Sequence, residues 1–394
     1  MRVREGFIVE RNAGADSSLY KWVLILSVAF LVIGNRVATD GAALPTRFGG
    51  TVYSAIATEI VNRIENNHDS WETDVFTTFR ARIRGGELRG TEVTAEQLTS
   101  TRWLLAVREV EVGDRVLLFY DQFSGHHRFH DYIRINYVIY LGALFLVLVV
   151  LFGKRKGLNS LIALGFTCMA VFSVFVPAIL SGRNIYATTI ITCAFVIIST
   201  LLTVVGLNKK ALSSMLGCMG GVLLAGIIML VMDRFLNLTG LIDDDTRYLR
   251  MLGNNININA IIFASVTIGA MGAIMDVAMS IASSLWEVRI ARGASNFHGL
   301  FTAGINIGKD ILGTMLNTLI LAYIGSSLST ILLIIAHTNS YVELFNREMV
   351  IVELLRALTG SFGMFLAIPL TAALCGFLYS KSMRQQPQKI PNPR

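Results

Sequence analysis

Apolar runs of about 20 residues, recurring with short polar connections between them, constrain this sequence more than any motif in it. An α-helix rises 1.5 Å per residue, so each run covers the ~30 Å hydrocarbon core of a bilayer. Eight runs are read, at 22–38, 135–152, 158–180, 185–206, 211–232, 257–283, 301–323 and 350–379. A chain that is 53% hydrophobic and 15% charged, patterned in this way, is expected to be an α-helical integral membrane protein of about eight transmembrane helices.

The net charge of +7 does not point to nucleic acid, because the basic residues sit in short loops alternating with the spans. Arg2, Arg4 and Arg11 precede the first run; Lys154, Arg155 and Lys156 follow the second. Lys209 and Lys210 follow the fourth, Arg289 and Arg292 the sixth, and Lys381 and Arg384 the last. The alternate loops carry acids instead: Asp243, Asp244 and Asp245, then Glu343 and Glu348. Positive loops stay in the cytoplasm, which places both termini there and the protein in the cell membrane. The first run has basic flanks but no clear small-residue cleavage site after it, so it is expected to remain as an anchor. Cys168, Cys193, Cys218 and Cys375 all fall inside expected spans, which argues against a disulfide framework or a thiolate metal motif.

These boundaries give a cytoplasmic N-terminus at 1–21, a first helix at 22–38, a β-rich extracytoplasmic domain at 39–134, a seven-helix domain at 135–380 and a cytoplasmic tail at 381–394. In the outer domain, VFTTFRARIR from Val75, a turn at Gly85 and Gly86, ELRGTEV, and RVLLFY after Gly113 and Asp114 predict short strands of a small barrel or sandwich. Ser54 to Asn66 is expected to be helical. The seventh apolar region continues from Gly299 to Ala336 with a break near Gly325. Its short remainder suits a re-entrant or interfacial piece better than another crossing.

The residues that invite a functional reading lie within the spans. Helical spacing aligns Gly269, Gly272, Asp276, Ser280 and Ser283 on the sixth, and Asn306, Asp310, Thr314 and Asn317 on the seventh, with Lys309 and Gly313 alongside. An ionised carboxylate at a helix centre costs at least ~2.5 kcal/mol, so an intramembrane acid is read first as part of a proton, ion or substrate path. From the topology, Asp276 lies ~11 Å and Asp310 ~14 Å from the inner end, close to one layer. Two carboxylates meeting there would share a proton. On the last span Glu353 and Arg356 are one turn apart, followed by Gly360 and Gly363. A path is therefore expected from Glu353 and Arg356 past Asn317 and Thr314 to Asp310 and Asp276, with Pro369 permitting a kink.

Plainer roles compete with each of these. The acids can be hydrogen-bonded helix glue, Lys309 can neutralise Asp310 or extend to the inner surface, and Glu353 with Arg356 can be an interfacial salt bridge. His126, His127 and His130 form a compact cluster whose imidazoles are capable of binding zinc or copper, yet no acid or cysteine completes a metal pattern. Nor is there a Walker loop, a GxSxG elbow or an HExxH, so neither an enzyme nor a cofactor is expected.

GAMGAIMDVAMSIASSLWEV from Gly269, GKDILGTMLNTLILAYIGSSL from Gly308, and the last span with Glu353, GSFG from Gly360 and IPLTA from Ile368 carry a resemblance. Over Gly113 to Tyr379 the chain resembles the YibE/YibF family of bacterial multi-pass membrane proteins, which implies a fold and no settled activity. In layout it is also similar to the SecD/SecF type of proton-driven exporter, where a helix with a small-residue run and an acid precedes a basic turn. Asp276 and Arg289 take those places here, while spans 185–206 and 211–232 have no counterpart. The function expected is proton-coupled transport or export of a solute, lipid or peptide. The alternative is a non-catalytic scaffold acting through the outer domain. The partners expected are the bilayer, an unidentified substrate and a second copy of the chain.

Overall fold

The computed structural model describes residues 13–39, 51–69, 72–85, 88–100, 108–121, 125–242, 244–251, 256–292, 296–337 and 340–380. Arg2, Arg4, Arg11, Gly86, Asp243, Lys381, Arg384 and the rest of the tail 381–394 lie outside the described residues. Helix α1 spans Ala13–Thr39. Five strands follow: β1 Thr51–Asp69, β2 Glu72–Ile83, β3 Glu92–Ser100, β4 Arg115–Asp121 and β5 His126–Tyr132. Helix α2 (Ile135–Met169) then runs through a π-helical turn, Ala170–Phe175, into α3 (Val176–Leu180). The remainder is α4 Ile185–Val205, α5 Lys209–Leu236, α6 Asp244–Met251, α7 Ile258–Arg292, α8 Phe297–Ser326, α9 Leu328–His337, α10 Tyr341–Asn346 and α11 Glu348–Ser380. Two compact units result, Pro45–Phe152 and the rest of the chain.

In the first unit the strands close into a five-stranded barrel in the order β1-β2-β3-β5-β4. Strand β1 is long enough to pair with both β2 and β4, and a short parallel pairing of β3 with β5 completes the closure. Phe79, Ile83, Val116 and Leu118 fill the interior, and Ala55, Ala57, Ala81 and Ala95 keep it narrow. Buried Gln97 is satisfied there, donating to the Arg108 carbonyl and accepting from the Val110 N–H. On the outside Glu59 faces Arg80 and Glu92 faces Arg82 across neighbouring strands, and both pairs are bonded.

The expected helix at Ser54 to Asn66 is instead the body of β1. Register shifts between Ala57 and Glu59 and between Ile60 and Asn62 interrupt the strict alternation of a strand. Ile56, Ile60 and Ile64 are left at a four-residue spacing that imitates a helix face. RVLLFY is β4 and VFTTFRARIR is most of β2, whereas ELRGTEV is largely turn, with β3 starting at its Glu92.

Among the described residues of the whole chain, seven helical stretches are long and apolar enough to cross a membrane. One of them, Ile135–Leu180, has 46 residues and a non-helical residue at Lys154 (φ 47°, ψ −128°), within the basic run between the apolar segments 135–152 and 158–180. In the second unit α1 leans on this element and on α4: Phe30 stacks on Phe195 with ring centroids 4.1 Å apart, Gly34 abuts Val174, and the Ser181 hydroxyl donates to the Ala38 carbonyl. The centre of the unit is α5, α7 and α11. Gly221 and Gly363 let α5 and α11 meet at backbone distance, since a Cβ on Gly221 would stand 2.9 Å from the Gly363 carbonyl oxygen. Ile274 of α7 closes the same crossing. Helix α11 continues through Pro369. At its first turn Glu348 accepts from the N–H groups of Thr239 and Gly240.

The seventh apolar region breaks at Ser327, two residues beyond the expected Gly325. Its remainder forms the 10-residue α9, about 15 Å long and too short to cross.

Candidate functional site

Helix α7 presents two faces. Ile274, Val277, Ala278, Ile281 and Ala282 are fully buried against the neighbouring helices. The stripe with Gly269, Gly272, Asp276 and Ser280 is exposed, with Ser283 half-buried. Among the described residues Asp276 has no hydrogen-bond or ion-pair partner, and a side chain on Gly272 would meet nothing within 4 Å. The carboxylate therefore stands beside open space at the middle of a 35-residue apolar helix.

Two and three turns from Asp276, at Gly269 and Ser265, the same stripe reaches a polar junction of three helices. Arg356 of α11 donates to the Glu353 carboxylate at 2.7 Å and to the Ser265 hydroxyl of α7 at 3.3 Å. The pair is mostly covered, its side chains 23% and 24% exposed. The Tyr323 hydroxyl of α8 lies 3.3 Å from where a Cβ on Gly269 would stand and 3.8 Å from that of Gly360. Four buried atoms here and one turn further along α11 have no hydrogen-bond partner among the described residues: Glu353 Oε2, Arg356 Nε, the Tyr323 hydroxyl and Thr359 Oγ1. Buried polar atoms of this kind are uncommon, and these lie where α7, α8 and α11 meet.

Helix α8 does not carry its polar stripe to that junction. Its packing side is Leu300, Gly304, Gly308, Leu319 and Tyr323, with Gly304 against Ala372 and Gly308 against Ile368 of α11. Asn306, Lys309, Asp310, Gly313, Thr314 and Asn317 are all exposed. The expected link from Glu353 and Arg356 through Asn317 and Thr314 to Asp310 is not formed, because Tyr323 and not Asn317 occupies the contact with α11 and α7. Lys309 and Asp310 form no ion pair with each other, and neither has a partner among the described residues.

Ser265, Tyr323 and Thr359 escaped the sequence reading. Ser265 continues the α7 stripe one turn past Gly269, a signal that was present. Tyr323 gave none, since an aromatic residue near the end of an apolar run reads as an interfacial anchor. The three histidines lie on β5: His127 is half-buried, while His126 and His130 are exposed, His130 at the register shift opposite Leu117 and Leu118. His126 and His130 are four residues apart on an extended strand, about 13 Å, too far to share one ion. Among the described residues no cluster suited to a metal ion is found.

The sequence profile of a family described as YibE/F-like protein matches residues 141–381, more than half of the chain. No curated protein and no solved structure matches it.

Proposed function

We propose that this chain, which belongs to the YibE/F-like protein family, is a multi-pass protein of the cell membrane and that, by the chemistry of its buried and exposed charges, it couples proton movement to transport. The break at Lys154 divides the 46-residue stretch into two crossings, about 70 Å of helix against a ~30 Å core, which makes eight in all. An even number returns both termini to the cytoplasm and puts the barrel on the other side. Asp276 is the proton-carrying group. The observation that carries this is its exposed, unpartnered position on a stripe that leads to Ser265, Arg356, Glu353 and Tyr323. A carboxylate without protein partners inside a bilayer holds a proton unless water or a moving group reaches it, and an acid that switches between those two states is what proton coupling uses. The substrate is a solute, lipid or peptide.

The test is proton flux in liposomes holding the purified protein and an internal pH dye, under an imposed gradient. Asp276→Asn is expected to lower flux about a hundredfold, the scale on which losing a proton-transfer group slows a transfer. Equal flux in variant and wild type overturns the coupling role.

One observation favours the scaffold reading. Ile64, Phe76 and Leu98 lie side by side across β1, β2 and β3 and are 49%, 41% and 40% exposed, an apolar row on the barrel exterior suited to holding a partner. Flux that is absent from the wild type as well favours that reading.

A further inference from the structure

The most polar of the long helices is among the least covered. Helix α8 has the lowest mean hydropathy of the seven stretches, 1.2, yet 6% of its most apolar window is buried, against 44% for α4, α5 and α11 and 56% for α7. Low coverage is natural for Ile135–Leu180, with hydropathy 2.5, because lipid suits it. It is not natural for a face that shows Asn306, Lys309, Asp310, Gly313, Thr314 and Asn317. Something other than lipid covers that face in the assembled protein.

The arrangement of charge identifies the cover. On a helix, Asn306, Gly313 and Asn317 fall near one line, with Lys309 on one flank and Asp310 on the other, about 100° apart around the axis. The two charges differ in depth by ~1.5 Å. When two identical parallel helices meet across a two-fold axis along the membrane normal, opposite flanks face each other, as at the g and e′ positions of a parallel coiled coil. Lys309 of each copy then meets Asp310 of the other, twice. Gly313 has nothing within 4 Å of its Cβ position and permits a close approach, and the asparagines lie where their amides pair across the seam. We infer that this face of α8 is a two-fold interface between copies of this chain, closed by reciprocal Lys309–Asp310 pairs. The inference rests on α8 crossing the membrane and is independent of proton coupling through Asp276.

The test is mass measurement of the full chain in lipid nanodiscs, for wild type, Lys309→Asp, Asp310→Lys and the double exchange K309D/D310K. Wild type is expected to be a dimer. Each single reversal sets like charges against each other and shifts the protein to monomer, with dimerisation weakened at least tenfold. The double exchange restores the dimer, which separates pairing from damage to the fold. Independently, Gly313→Cys in a Cys168→Ser background is expected to form an intermolecular disulfide in native membranes, Cys168 being the exposed native cysteine. A monomeric wild type, single reversals that remain dimeric, or a double exchange that stays monomeric overturns the interface. A chain that carbonate washes from its membranes overturns the membrane-spanning reading beneath it.

Discussion

Helices α7 and α8 each carry an acid among small residues, Asp276 near Gly272 and Asp310 near Gly313, yet 56% of the apolar window is buried in the first and 6% in the second. In α7 the acid lies on the back of a helix whose other side is the centre of the bundle. In α8 the small residues split into two sets. Gly304 and Gly308 dock on α11, while Gly313 accompanies the charges away from it. Small residues thus mark a helix contact at Gly304 and Gly308 and open space at Gly272 and Gly313, so a small residue beside a polar group does not by itself say which face is packed.

The largest effect that tests this contrast is on flux. Asp276→Asn is expected to abolish nearly all of it, whereas Asp310→Asn retains most of it, because Asp310 faces away from the Arg356 junction. Equal losses in the two variants would break the comparison and return Asp310 to the path.

Packing gives the next effect. Gly363→Leu forces a side chain into Ile274 and the α5 backbone and is expected to destabilise the protein by about 3 kcal/mol. Gly272→Ala, on the open stripe of α7, changes stability by less than about 0.5 kcal/mol. Thermal unfolding in detergent compares them, and equal shifts would mean that the α7 stripe is packed after all.

A smaller effect is expected at the ion pairs. Arg356→Met leaves the Glu353 carboxylate covered and unpaired, and should cost about 1–3 kcal/mol. Arg347→Met removes a pair whose side chains are 41% and 55% exposed and should cost no more than about 0.5 kcal/mol. The same unfolding measurement ranks them.

The smallest effect carries the contrast of covered and open faces into the barrel. His127 packs beside Tyr53 and Tyr120, and burial holds its imidazole below the ordinary 6.5, favouring the neutral form in the folded state. Its contribution is full above that ordinary value and declines as pH falls through the lowered one. Unfolding of the full chain, followed by a barrel tyrosine signal between pH 7.5 and 5.5, is expected to show a loss at the acid end that His127→Gln removes and His130→Gln does not. A loss that survives His127→Gln would assign it to other groups.

Much of the fold was legible because hydropathy is a local property. The long apolar stretches, the interruption at the basic residues around Lys154, the end of α8 and strands β2 and β4 all follow from runs and alternation. Strand β1 was hidden because its register shifts erased the period of two. Strand β5 was hidden because HHRFHDY holds few apolar residues and gains its place by pairing with β4. At the site, Asp276 and the Glu353–Arg356 turn were visible as charges in apolar segments. Their meeting with Ser265 and Tyr323 was not, since three helices far apart in sequence have to converge before those groups become neighbours.

By itself, then, the sequence determined that this chain forms long apolar helices and a small β-domain, and that a few charges lie within those helices. Length and hydropathy settle that without reference to neighbours. Only the tertiary structure decided which stripe of each helix faces inward. Small and polar residues are equally suited to a contact within the bundle and to one outside it, and the choice fell to shape: Gly304 and Gly308 fit Ala372 and Ile368, and the opposite face of α8, with Lys309 and Asp310, was left outward.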